Sequence, residues 1–212
     1  NIFTTENKEE MKKSEAKGLK VSFFVFAIVA LMMVGNRATA VTLDSVPHIH
    51  HVKVVENKLF VLTHEGLYEL VGKNNMKLVG KDRVDVMGFT TLGKALFASG
   101  HPAEGSKMPN PIGLVKSIDG GLTWKAVSLV GKVDFHFLEG AGGDFYGSDS
   151  QSGNLMYSPD SGKTWRYLGT NTFTDIAVSP EMPGMAIAIK NSELLLTKNA
   201  FKATTKIKNT LK

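Results

Sequence analysis

The chain has 212 residues, 42% of them hydrophobic, which is enough for one large domain or two small ones with a buried core. It has no cysteine, which excludes a disulfide framework, a thiolate metal site, a cysteine nucleophile and a lipid anchor on cysteine. The formal net charge is +5, but from residue 41 onwards 19 basic residues accompany 16 acidic ones without forming a basic stripe. The sequence therefore does not favour nucleic-acid binding.

Residues 1–40 have the layout of a secretory signal peptide with a short upstream extension. Lysines between Lys12 and Lys20 form a positive region, and the apolar run Val21–Val34 follows it. Ala38-Thr39-Ala40 then supplies the small residues that signal peptidase requires. The apolar run is shorter than the roughly 20 residues that span a membrane. We predict a cleaved signal helix, a mature chain that begins at Val41, export to the cell exterior and no membrane association after cleavage. An uncleaved membrane anchor is the alternative.

From residue 41 onwards the chain repeats with a period near 42 residues. The first strands of the repeats are predicted at His50–Val55, Val86–Thr91, Phe135–Glu139 and Asp175–Ser179. The second strands are predicted at Lys58–Leu62, Ala95–Ser99, Asp144–Ser148 and Met185–Ile189. A third strand in each repeat carries Leu67, Leu114, Leu155 or Leu194, and a fourth follows the next turn. Four-stranded units of this length are typical of propeller blades, so residues 41–212 are predicted to form an all-β propeller domain with about four blades.

The motif S-x-D-x-G-x-T-W occurs twice, 41 residues apart. The first copy contains Ser117, Asp119, Gly121, Thr123 and Trp124, and the second contains Ser158, Asp160, Gly162, Thr164 and Trp165. The aspartate can accept backbone N–H bonds across a tight turn, and the glycine tolerates a backbone angle that a β-carbon resists. The threonine starts the next strand, and the tryptophan packs against the sheet. Each copy is predicted to be a rigid hairpin corner with a largely buried tryptophan. The other two corners are degenerate, since the region after Leu70 has no such motif and Thr197-Lys198-Asn199 is not followed by Gly-x-Thr-Trp.

The two motifs closely resemble the Asp box of sialidases, sortilin-type receptors and related BNR-repeat propellers. Six longer stretches resemble a family of bacterial exported Asp-box proteins described as glycosyl-hydrolase-like. The stretches are His48–His50, Thr63–Leu67, Met87–Phe89, Gly100–Pro102, Pro109–Leu114 and Asp134–His136. The resemblance implies a propeller in which the box is a structural corner away from the ligand face. Related propellers have six or more blades, which need about 250 residues. The resemblance therefore implies an incomplete ring here.

The same resemblance raises the question of sialidase activity. Sialidases hold the substrate carboxylate with three arginines, whereas this chain has only Arg37, Arg83 and Arg166, and Arg37 lies in the predicted leader. Lysine is a poor substitute for a planar bidentate contact, so sialidase activity is not expected.

All six histidines lie between residues 48 and 136. When the first strands are aligned by their apolar pattern, one column contains His50, Met87, His136 and Ile176, and the column two residues earlier contains His48, Asp85, Asp134 and Thr174. Residues two apart in a strand point to the same face, and this strand lines the channel of a propeller. We therefore predict a zinc or copper site from His48, His50 and His136, and ligand-binding roles for Asp85, Asp134 and His101. His64 and His101 end the second strands of the first two repeats and are predicted to approach the same rim.

Three interpretations fit this polar column: a divalent-metal site, a pocket for another ligand or for catalysis, and a polar channel lining bridged by water. Asp85 and Asp134 also fit a carboxylate pair for glycoside hydrolysis, if they lie about 5–10 Å apart. The first functional hypothesis is an exported propeller that binds a metal, a small molecule, a glycan or a protein partner through its channel face. The alternatives are a glycosyl hydrolase of the Asp-box class and a passive assembly scaffold.

Overall fold

The computed structural model describes residues 41–46, 48–104 and 106–208. The predicted signal helix, residues 1–40, lies outside the described residues. The described chain forms four consecutive antiparallel sheets, and each is one blade of a β-propeller. The predicted all-β propeller with four blades is therefore confirmed for this part of the chain.

Blade 1 has five strands rather than the predicted four, in the order β1-β5-β4-β3-β2. Its strands are β1 (Val41–Thr42), β2 (Ile49–Val55), β3 (Lys58–Thr63), β4 (Gly66–Leu70) and β5 (Asn75–Leu78), with a 3-10 turn at Leu43–Ser45. The additional strand arises because Val41 and Thr42 pair with Met76 and Asn75 at the free edge of β5.

The other three blades each have four strands that pair in sequence order. Blade 2 consists of β6 (Val84–Leu92), β7 (Ala95–Pro102), β8 (Leu114–Ser117) and β9 (Lys125–Ser128). Blade 3 consists of β10 (Phe135–Ala141), β11 (Asp144–Asp149), β12 (Asn154–Ser158) and β13 (Arg166–Thr170). Blade 4 consists of β14 (Asp175–Val178), β15 (Ala186–Lys190), β16 (Glu193–Thr197) and β17 (Thr205–Lys206).

Most of the hydrophobic core lies between blades, and one further cluster, around Val61 and Met76, lies on blade 1 alone. Phe60 of blade 1 packs into a cluster with Phe89 of blade 2, and Phe97 of blade 2 packs into a cluster with Leu138 of blade 3. Tyr146 of blade 3 joins Ile176 of blade 4 in the same way. Each junction therefore buries the second strand of one blade against the first strand of the next. This packing fixes the relative positions of polar groups at the ends of those two strands.

Both S-x-D-x-G-x-T-W motifs form the predicted hairpin corners. The Ser117 and Ser158 hydroxyls accept the N–H of Gly121 and Gly162, each at 2.8 Å. Gly121 and Gly162 have positive φ, and a β-carbon on either would clash with a leucine of the preceding blade. The glycines are therefore required by the junction as well as by the turn.

The corner aspartates act as acceptors, as their chemistry predicts. Asp119 accepts the Thr123 N–H at 3.0 Å and its hydroxyl at 2.6 Å, and Asp160 accepts the same two groups of Thr164 at 2.9 and 2.7 Å. Trp124 and Trp165 are half-buried rather than largely buried, because each lies at the outer end of its junction. The Trp165 indole N–H donates to the Gly162 carbonyl at 2.9 Å, which ties the ring to its corner.

A third corner forms in blade 4, at the degenerate position Thr197-Lys198-Asn199. The Thr197 hydroxyl accepts the Phe201 N–H at 2.9 Å, and Asn199 accepts the Ala203 N–H at 2.9 Å. Asn199 thus takes the place of the aspartate. Ala200 and Phe201 have positive φ, where the other corners place a serine or glycine. The backbone hydrogen bonds of the corner are therefore kept although all five of its characteristic residues have changed.

Candidate metal centres

The first strands of blades 1, 2 and 3 each contain a β-bulge at the same position. The pairing register shifts between Ile49 and His51, between Val86 and Gly88, and between Phe135 and Phe137. The unpaired residues are His50, Met87 and His136, the members of one column in the sequence alignment. A bulge turns a side chain out of the regular alternation of a strand and is common beside functional sites. In this chain the bulges set the direction of two histidines.

The first cluster lies at the junction of blades 1 and 2 and consists of His50, His64 and Asp85. His64 Nδ1 lies 2.8 Å from Asp85 Oδ2, and His50 Nε2 lies 3.6 Å from Asp85 Oδ1, too far for a hydrogen bond. The His50 and His64 rings meet edge to face with their centres 4.3 Å apart. One donor atom from each residue lies within 4.8 Å of the other two, as a shared metal ion requires. We call this set triad A.

The second cluster lies at the junction of blades 2 and 3 and consists of His101, Asp134 and His136. His101 Nε2 and His136 Nε2 lie 3.1 and 2.8 Å from the same carboxylate oxygen, Asp134 Oδ2. Its three donor atoms also lie within 4.8 Å of one another. We call this set triad B. In each triad, an aspartate at the start of one blade lies beside a histidine at the end of the second strand of the preceding blade.

Further hydrogen bonds orient the members of triad B. His101 Nδ1 lies 3.2 Å from Asn110 Oδ1, and the Ser150 hydroxyl donates to Asp134 Oδ2 at 2.6 Å. Such outer contacts fix the tautomer and ring orientation of a metal-binding imidazole. With the proton on Nδ1 directed at Asn110, His101 Nε2 has a free lone pair.

Three buried polar atoms in the triads have no hydrogen-bond partner. They are His50 Nε2 and Asp85 Oδ1 in triad A and Asp134 Oδ1 in triad B. The Asp134 side chain is only 3% exposed. A buried carboxylate oxygen without a partner is costly, and a bound cation would relieve that cost. Two ligands on a tetrahedral zinc ion lie about 3.4 Å apart, close to the separation of the unpaired atoms in triad A.

The electrostatics of His50 link the two triads. Burial lowers the pKa of His50, the neighbouring His64 lowers it further, and the charge on His136 of triad B contributes in the same direction. The Asp85 carboxylate opposes these effects but does not outweigh them. A lowered pKa favours the neutral imidazole, which is the form that binds metal ions.

The structure assembles the sequence-predicted residues differently from the expected single set. His50 and Asp85 fall in triad A, whereas His101, Asp134 and His136 fall in triad B. The exposed His48 lies beside triad A, with its ring centre 5.1 Å from that of His64. The strict two-residue alternation that grouped His48 with His50 does not hold. The reason is that His48 precedes β2 with a φ of 53° and His50 lies in the bulge.

His64 is a triad member that the predicted site omitted, although its place at the rim was expected. The signal for it lies in two aligned heptapeptides, KLFVLTH at 58–64 and ALFASGH at 95–101, which end in His64 and His101. The equivalent residue of blade 3 is Ser150, which also contacts Asp134.

His51 belongs to neither triad, since its Nε2 lies 2.8 Å from the Met87 carbonyl of blade 2. Met87, half-buried at the second bulge, and the corner residues are likewise outside both triads.

Comparison with known proteins supports the fold. No family model and no curated protein matches the chain. Among solved structures it is similar to YCF48 bound to a D1 peptide, with a TM-score of 0.51 and 17% identity over 84% of this chain and 58% of that one. It is also similar to AFV00434, an ancestral GH74 enzyme, with a TM-score of 0.50 and 12% identity over 78% of this chain and 25% of that one.

These likenesses define the chain as a β-propeller and carry no information about its ligand, because the identities are low. The chain spans a little over half the length of the first structure and a quarter of the second. Within the residues that the structure describes, no helix is long and apolar enough to cross a membrane.

Proposed function

We propose that this propeller binds a divalent transition metal, zinc or copper, through the two His-His-Asp triads at its blade junctions. The observation that carries the proposal is the convergence of two imidazoles and one carboxylate within 4.8 Å in each triad. Imidazole nitrogen and carboxylate oxygen together suit zinc and copper rather than calcium or magnesium. The unpartnered buried oxygen of Asp134 supports the same conclusion, since a bound cation would satisfy it.

The polar-lining interpretation accounts less well for this arrangement. In a lining bridged by water the side chains would be separated by water, yet His101 and His136 both lie within 3.1 Å of Asp134 Oδ2. Glycoside hydrolysis needs one carboxyl group free to donate a proton and another free to attack. Asp134 is instead contacted by two histidines, and Asp85 by His64. These contacts favour metal binding over both alternatives.

Elemental analysis of the purified chain after exposure to zinc and removal of free ions tests the proposal. We expect bound zinc in the wild-type chain and none in the double variant Asp85→Asn, Asp134→Asn. His51→Gln is the matched control, because His51 lies next to His50 but belongs to neither triad, and it should keep the wild-type zinc content. Equal zinc content in the double variant and the wild type would refute the proposal. Hydrolysis of chromogenic glycosides by a metal-free chain would favour the glycosidase instead.

We also propose that the chain is an exported member of the Asp-box class of propellers. The corner hydrogen bonds of Ser117, Asp119 and Thr123 support this assignment, as does their repetition in blade 3. Export rests on the leader sequence, and the expected mature chain comprises residues 41–212. Amino-terminal sequencing of secreted protein should begin at Val41, whereas a form that keeps Val21–Val34 would indicate a membrane anchor.

A further inference from the structure

Triad A has a third histidine within reach, and triad B does not. The ring centres of His48 and His64 lie 5.1 Å apart. Two imidazoles on one tetrahedral zinc ion have ring centres about 5 Å apart, given Zn–N bonds of about 2.0–2.1 Å. His48 is not among the donors that meet within 4.8 Å in triad A, but its ring centre lies at this spacing from that of His64. Its side chain is exposed, so it can rotate towards the ion without disturbing the core.

The surroundings of triad B differ. Its histidine rings are 6.0 Å apart, and no fourth imidazole or carboxylate joins the triad among the residues that the structure describes. The nearest additional groups are Asn110 and Ser150, which already hydrogen-bond to His101 and Asp134. His136 is 43% exposed and His101 36%, and His64 of triad A is 44% exposed, so both triads have a side open to solvent and differ in the imidazoles nearby.

We propose that the two sites have different coordination. His48, His50, His64 and Asp85 form a closed four-ligand site, whereas His101, Asp134 and His136 form a three-ligand site with one position open to an external ligand. This inference rests on the proposed metal binding. It adds that each chain binds two ions and that an external ligand exchanges at triad B. Four protein ligands are typical of structural zinc sites, and three ligands with a free position are typical of sites that bind water or substrate. The open position accepts a small anion or a donor group of a partner.

Cobalt(II) substitution followed by azide titration tests the inference, because the d–d absorption of cobalt reports its coordination. The wild-type chain should bind two cobalt ions, and azide should perturb the spectrum of one. The variant His101→Ala, His136→Ala removes triad B and should keep one ion that does not respond to azide. When His48→Ala is added to that variant, the remaining cobalt ion should become azide-sensitive. Its affinity should fall about tenfold or more, because loss of even a residue that only hydrogen-bonds to a metal ligand lowers metal affinity about tenfold or more.

The control is His51→Gln in the same background, which should leave both affinity and azide response unchanged. If His48→Ala has no effect on either quantity, His48 is not a ligand and the closed site is refuted. One cobalt ion per wild-type chain would refute the pair of sites while leaving metal binding intact. If no cobalt or zinc binds at all, the proposed function itself fails.

Discussion

His101 of blade 2 lies 3.1 Å from Asp134 of blade 3, so the contact between them crosses a blade junction. The His64–Asp85 contact crosses the junction of blades 1 and 2 in the same way, at 2.8 Å. Each proposed metal site therefore draws ligands from two blades. An ion bound there would link sheets that are otherwise held together mainly by their apolar faces.

Metal binding should consequently raise the melting temperature of the domain. A ligand that binds only the folded state stabilises it by about 2.7 kcal/mol at one hundred times its Kd. We expect zinc to produce an upward shift of several degrees in differential scanning fluorimetry, and EDTA to reverse it. Asp134→Asn should reduce the shift, and His51→Gln should not. A melting temperature that is independent of zinc would contradict the junction-spanning sites.

Gly88→Ala should destabilise the domain and weaken triad B selectively. A β-carbon at Gly88 would clash with the Phe135 carbonyl of blade 3, a backbone atom that cannot rotate away. Overpacking of this kind costs about 1–3 kcal/mol, measurable by urea denaturation. The displacement should weaken metal binding by triad B, whose ligands come from both sides of this junction. Triad A is the internal control, and an equal effect on both triads would indicate general unfolding.

The corner aspartates should make the domain sensitive to acid. Hydrogen bonds from the Thr123 hydroxyl and N–H hold the pKa of Asp119 at about 2, below its usual 3.8, and the Thr164 N–H and hydroxyl hold that of Asp160 at about 2. Because folding depresses these pKa values, the stabilisation is present above pH about 4 and is lost as pH falls towards 2. The variant Asp119→Asn, Asp160→Asn should show a flatter stability profile across that interval. An identical profile would mean that the corners do not contribute.

Asn199→Ala tests the corner in blade 4. It removes the acceptor of the Ala203 N–H, a role like that of a helix-capping side chain, which is worth about 0.5–2 kcal/mol. We expect a lower urea midpoint for Asn199→Ala and no change for Lys198→Ala at the neighbouring exposed position. Metal content should remain at the wild-type value in both variants. A loss of metal from Asn199→Ala would mean that the corner affects the triads.

The fold could be predicted because each blade repeats the same local chemistry. The motif at 117–124 and its copy at 158–165 set the period, and short apolar segments such as KLFVL indicated the strands. The extra strand Val41–Thr42 could not be predicted, since two residues carry no periodic signal. The corner at Thr197 is degenerate in sequence because Asn199 and Phe201 replace the aspartate and glycine, although the same backbone hydrogen bonds form.

The candidate residues could be chosen from the sequence, but their grouping could not. Alignment of the first strands selected His50 and His136, which lie in equivalent bulges. The period-two argument treated those strands as regular, so it could not show that His50 turns to Asp85 of the next blade and His136 to Asp134 of its own. Partners such as His64 depend on how adjacent blades pack, which no local pattern encodes.

A crystal structure of the zinc-loaded chain, with anomalous diffraction recorded on both sides of the zinc absorption edge, tests the central claim most directly. We expect two zinc peaks, one in each triad, about 2.0–2.2 Å from imidazole nitrogen and carboxylate oxygen atoms. The peak in triad A should also lie within that distance of a His48 nitrogen. Well-ordered triads without an anomalous peak in zinc-saturated crystals, or zinc bound only elsewhere, would contradict the proposal that these residues form metal sites.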